Sequence, residues 1–141
     1  MATNIRAIVI GAGSAIGTRV TNSQIYDYPP DSVNQFPAII PTLESMDMSM
    51  VQAGNAFEGT LRIICLVEKA EAREAWLRMY DMMDTTGSGT SVLAAIKADP
   101  TFGTSVDSSF IAAVTNIGAK QLGGVTYIGF DVMVPFVRTV T

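Results

Sequence analysis

"AIVIGAGSAIG", residues 7–17, is the stretch on which the fold turns. Read as a strand running into Gly11, Gly13 and Gly17, it becomes the phosphate-cradling turn of a dinucleotide-binding enzyme. Read as a helix, it places Ile5, Ile8, Val9, Ala12 and Ile16 at i, i+3, i+4, i+7 and i+11, one apolar stripe. The dinucleotide fingerprint requires glycines at 11, 13 and 16. Position 16 is Ile16, and the third glycine comes one residue late. The nucleotide fold also needs a long helix after the glycines and a second strand ending in an acid. Here Thr18–Tyr28 is β-branched and polar, Pro29 and Pro30 follow, and Asp31 falls beyond them in a turn. The stretch therefore reads as a helix over residues 3–17. Gly11 and Gly13 let it lie close to a neighbour, at about 1 kcal/mol each in helix propensity. A dinucleotide-binding enzyme using Gly11–Gly17 stays as the distant alternative.

Outward from that helix the elements are short. Val20–Tyr28 reads as a strand, rich in Val, Thr, Ile and Tyr. Phe36–Leu43 reads as another, with Pro37 and Pro41 marking an edge or a bulge. Met46, Met48 and Met50 alternate with Asp47 and Ser49, which puts methionine on one strand face. That face is either core or an adaptable contact surface. Residues 52–55 form a turn. In Phe57–Val67, Leu61, Ile63, Cys65 and Val67 share one face, and Thr60, Arg62, Ile64, Leu66 and Glu68 the other. Both faces are largely apolar, so this strand is central and covered.

Ala70–Met83 reads as a helix with Ala72, Trp76, Met79, Tyr80 and Met83 inward and a Glu74–Arg78 pair on the wet side. Residues 85–89 end it, with Gly87-Ser88-Gly89 as a joint. Thr90 or Ser91 caps a second helix running through Lys97. Asp99-Pro100 stops that helix, because a residue before proline resists the helical region. Val106–Ile117 and Gly124–Val140 are β-rich and read as a hairpin, with Gly118 and Leu122-Gly123-Gly124 between them. The order predicts one α+β domain over residues 1–141. Its mostly antiparallel sheet carries the N-terminal helix and two central helices.

Composition narrows the function. The 141 residues are 48% hydrophobic and only 16% charged, against roughly 25% charged in ordinary soluble proteins. A small domain with so little charge suits an assembly. Net charge is −4, and the nine Lys and Arg residues are scattered, which is unsuited to tight phosphate-backbone binding. There is no histidine, so Ser-His-Asp and Cys-His hydrolases and imidazole zinc sites are excluded. Cys65 is the lone cysteine and reads as a buried small hydrophobe. The pairs Asp81/Asp84 and Glu44/Asp47 lack calcium-loop spacing and read as solvated carboxylates. No catalytic, cofactor-binding or metal residue is expected. No apolar run approaches the ~20 residues of a spanning helix, so no membrane partner is expected and the chain reads as cytosolic.

The ordered motifs carry a resemblance. The N-terminal helix is followed by IYDYPP at 25–30 and FPAIIP at 36–41. A long strand then enters a helix over Gly59–Met83. TTGSGTSVLAAIKADPTFG follows at 85–103 and GGVTYIGFDVMV at 123–134. This order, over most of the chain, resembles the tail terminator and tail-completion proteins of long-tailed bacteriophages, which join head to tail in the neck. The resemblance implies a small α+β subunit forming a ring, usually a hexamer, at the head-proximal end of the tail tube. Such a ring ends tube polymerisation and presents a surface to the head–tail connector. A head-side neck adaptor or stopper is the alternative station. The implied place is the virion, assembled in the host cytoplasm. The implied partners are copies of itself, the tail tube protein and the connector, with DNA passing through the bore without specific binding. No catalytic residue comes with the family. An acidic inner wall would repel phosphates, and Asp47, Glu58, Asp107 and Asp131 are its candidates.

Overall fold

The computed structural model describes residues 5–20, 23–26, 30, 33, 36–47, 56–69, 73–84, 91–104, 106–122 and 124–139. In chain order the elements are α1 (Ile5–Gly17), β1 (Gln24–Ile25), β2 (Ala38–Asp47), β3 (Ala56–Lys69), α2 (Arg73–Met83), α3 (Val92–Ala98), β4 (Ser108–Ser109), β5 (Ala113–Leu122) and β6 (Val125–Thr139). The fold is α+β, as the sequence predicts.

The glycine-rich stretch is helical. α1 buries Ile8, Ala12, Ala15 and Ile16, the expected stripe extended by Ala15. Gly13 has the anticipated packing role: a Cβ there would stand 2.8 Å from Ile25 and 3.3 Å from Pro41. The helix closes with Arg19, whose Nη1 donates to the Ala15 carbonyl at 3.1 Å, a cation on carbonyls left open at a helix C-terminus.

The strand expected over Val20–Tyr28 shrinks to β1. Val20 is buried in the turn after α1, so its β-branched side chain serves the core from a bend. Residues 21–22 and 27–29 lie outside the described residues, as do Met48, Met50, the turn at 52–55 and the Gly87-Ser88-Gly89 joint.

The sheet runs β1-β2-β3-β6, with β4 and β5 both on the far side of β6. β1 is parallel to β2, and every other pairing is antiparallel. β3 is central, as its two apolar faces predict. Pro41 sits on an edge, also as predicted. The Pro37 and Ile39 carbonyls accept from Gln24 and Tyr26 N–H groups of the β1 segment. Odd positions of β2 therefore face outward, where the missing Pro41 N–H costs the β2–β3 ladder nothing.

Pro135 explains why β4 and β5 are two strands. The Phe110 N–H donates to the Pro135 carbonyl at 3.2 Å, but Pro135 has no N–H to return. The ladder breaks there and resumes as Ala112 bonds Met133. Gly118 is not in the hairpin turn, contrary to expectation. β5 runs through it to Leu122, and Gly118 follows a bulge at which Asn116 takes φ 52°. A glycine adapting a bulge leaves the same sequence signal as a glycine making a turn.

One face of the sheet is covered by the helices. Ile39, Leu61, Ile63, Cys65 and Val67 meet Ile128, Phe130, Val132, Val134 and Phe136 under α1, α2 and α3. The expected stripe of α2 is rotated: Ala75, Met79 and Met82 are buried, while Trp76 and Tyr80 are exposed. Arg78 reaches Glu68 of β3 at 2.9 Å rather than along its own helix to Glu74. Ala72 lies outside the described residues.

Ser91 is the N-cap of α3. Its Oγ accepts from the Ala94 N–H at 3.0 Å and donates to the Asp84 carbonyl at the end of α2. One buried hydroxyl thus ties two helices. Ser91→Ala is expected to lower unfolding free energy by about 1 kcal/mol, read as a lower urea midpoint at unchanged slope. An unchanged midpoint would show that the cap contributes nothing.

Candidate functional site

The other face of the sheet carries no helix among the described residues. At one end of the strands it is apolar, with Ala38, Ile40, Leu66 and Tyr127 gathered under Val33. The Tyr127 hydroxyl accepts from the Val33 N–H at 3.1 Å, and Phe36 packs on the Tyr127 ring at 5.8 Å between centroids. This anchors Val33 over that end.

The middle of the face is polar. Asp131 lies on β6 between Ile64 of β3 and Thr115 of β5. Expected to be exposed, it is in fact 1% exposed. Lys120 Nζ lies 2.7 Å from its Oδ1, and Asn116 Nδ2 donates to its Oδ2 at 2.8 Å. Arg62 Nε stands 3.9 Å from the same carboxylate, while Arg62 Nη2 donates to Glu44 at 3.0 Å. The left-handed turn at Asn116 brings its amide over the strand. Together these groups floor a groove of about 360 Å³ walled by Ile40, Ile64 and Leu122. The missed signal is local: Asp131 stands in the most apolar strand of the chain, paired on both sides. A carboxylate there must be buried and must find cations.

The opposite end of the face is acidic. Asp47 pairs in register with Glu58, Glu58 with Val137, and Val137 with Ser108. Asp107 precedes Ser108, and its N–H bonds the Val137 carbonyl at 2.8 Å. Asp47, Glu58 and Asp107 therefore fall in one row across the strand ends, all exposed, with Asp47 and Glu58 on this face and Asp107 turned with Arg138 to the other. Arg138 stands 3.9 Å from Asp107. A hollow of about 300 Å³ opens beside the row between Thr60 and Phe110. Sequence spacing could not reveal this row, because its members come from three separate stretches.

Among the described residues the two flanks of the sheet are open. Among the described residues β1 covers β2 only at Ala38 and Ile39, and β5 pairs with β6 alone. The two free edges run in opposite directions, because an even number of strands separates them.

Other sequence candidates resolve individually. In α1 the amides of the glycine stretch are committed to helical bonds, so these residues do not form the phosphate-cradling turn a dinucleotide needs. Cys65 is fully buried, and burial pushes its thiol pKa far up. Met46 packs against the main core. Glu44 is exposed but held by Arg62. No three His, Cys, Asp or Glu side chains among the described residues are placed to share a metal ion. No helix there is long and apolar enough to cross a membrane. The chain matches no protein-family model and no curated protein sequence.

Proposed function

We propose that this protein is a structural subunit of a phage neck. Copies of it form a ring at the head-proximal end of the tail tube, end its polymerisation and join it to the head connector. The observation that carries this reading is the pair of free sheet edges, on opposite flanks and running in opposite directions. When copies stand side by side the same way up, the β5 edge of one meets the β2 edge of the next antiparallel. Each junction leaves another identical edge open, so growth stops only by closing a ring. The order of motifs along the chain and the α+β fold support the same reading.

The helices form the bulkier layer, and a closing ring gives the outer layer the longer circumference. The helix-free face then turns to the bore. It carries Asp47, Glu58, Glu44 and Asp131 against Arg62 and Lys120, a net negative wall that lets DNA slide without sticking.

The test is electron microscopy of particles made without this protein. Overlong or headless tails are the expected result. Filled heads lacking tails would assign the subunit to the head side of the neck, and normal particles would overturn a neck role.

A further inference from the structure

The large apolar side chains left exposed are not scattered. Among the described residues they are Ile10, Leu43, Trp76, Leu77, Tyr80, Phe110 and Ile117. All but Leu77, which points away from the sheet on α2, lie along the two flanks.

On one flank α1 stands over β1 and β2. Gly13 and Gly17 both press on Ile25 of β1. Ile10 precedes them at i+3 and i+7, so it lies on that same outer side. Leu43 projects from the open part of β2.

On the other flank α2 overhangs β5. Arg78 turns one side of α2 to Glu68 of β3, which leaves Trp76 and Tyr80 on the side towards β5. The Trp76 ring lies 3.4 Å from where a Gly118 Cβ would stand, and the Trp76 and Tyr80 rings are 6.4 Å apart. Ile117 is 51% exposed beside them and Tyr80 is 53% exposed. An aromatic pair with an aliphatic neighbour, set beside an unpaired edge, has the composition of an interface centre.

We infer that these flanks are the two halves of one contact between copies of this chain. Trp76, Tyr80 and Ile117 of one copy receive Ile10 and Leu43 of the next, and the β5 edge extends onto the β2 edge beneath them. This deepens the ring reading and rests on it.

Three observations select a second copy in head-to-tail arrangement. Both layers expose their apolar side chains at the same two flanks, so one docking event buries helix and sheet contacts together. The open part of β2 beyond β1, residues 40–47, can lie wholly along β5, which spans 10 residues. β2 carries Glu44 and Asp47 and no cation, whereas β5 carries Lys120 and no acid. Pairing β2 with β2 would set acids against acids, whereas the one charge on β5 is already held by Asp131.

Cross-linking tests this. Cys65 is buried, so introduced cysteines alone take a short bis-maleimide. The variants are Ile10→Cys, Tyr80→Cys and the double variant, each first checked for an unchanged melting temperature, with light scattering run alongside. The expected result is a ladder of dimer, trimer and higher species from the double variant and monomer from each single variant. Dimers from Tyr80→Cys alone would overturn the head-to-tail contact. Assembly seen by scattering with no cross-link would overturn these flanks and leave the ring reading standing. A mass of 15.0 kDa at the highest concentration reached, with no ladder, would overturn both. Tyr80→Glu adds an independent arm. It should weaken association at least about tenfold while the monomer melts as before; undiminished association would overturn the contact.

Discussion

Gly129→Ala is expected to cost about 3 kcal/mol or more, the largest loss from adding a single methyl group among the described glycines. Gly129 faces Leu66 across the β3–β6 ladder, where β3 is bulged between Leu66 and Glu68. A Cβ would stand 2.2 Å from the Cys65 carbonyl oxygen. That atom is backbone in the central strand, so relief requires β3 and β6 to part. The melting temperature should fall by about 10 °C. Gly103→Ala is the comparison. Gly103 has φ +67° and nothing near its would-be Cβ, so only conformational strain of about 1 kcal/mol applies. If the two variants lose equal stability in calorimetry, steric contact at Gly129 is not what makes glycine necessary there.

Asp131→Ala is expected to cost about 2 kcal/mol. Removing one partner of a fully buried ion pair costs about 3–5 kcal/mol. The figure here is lower because Lys120 and Arg62 keep 16% and 35% of their side-chain surface in water. The loss comes from stranding the Lys120 ammonium and the Asn116 amide over a dry strand, while Arg62 keeps its bond to Glu44. Asp131→Leu combined with Lys120→Met should therefore recover stability relative to Asp131→Ala. A double variant no more stable than the single one in urea denaturation would show that this network is not paired as described.

Legibility from sequence followed how locally each feature is determined. α1 was readable because its stripe and its glycines lie within thirteen consecutive residues. The central place of β3 followed from two apolar faces, and the Ser91 cap from a hydroxyl before an apolar run. What failed depends on neighbours distant in sequence. The stripe of α2 is turned away from the position sequence gives it, since Trp76 lies on the side towards β5, and aromatic character alone does not tell core from flank. Gly118 reads as a turn until its pairing with Gly129 is known. Asp131 reads as exposed until Lys120 and Asn116 arrive from another strand. The acidic row needed the register of β2, β3, β4 and β6, and the flanks needed the order of the sheet.

The position of that acidic row has a consequence for polarity. It crosses only one end of the strands, while the opposite end is greasy and capped by Val33. If every subunit of the proposed annulus stands the same way up, its two mouths differ chemically. One would be a collar of carboxylates, the other an apolar lip. A threading polyanion would then meet a different barrier from either direction, and the two neighbours of the annulus would be told apart without any further device.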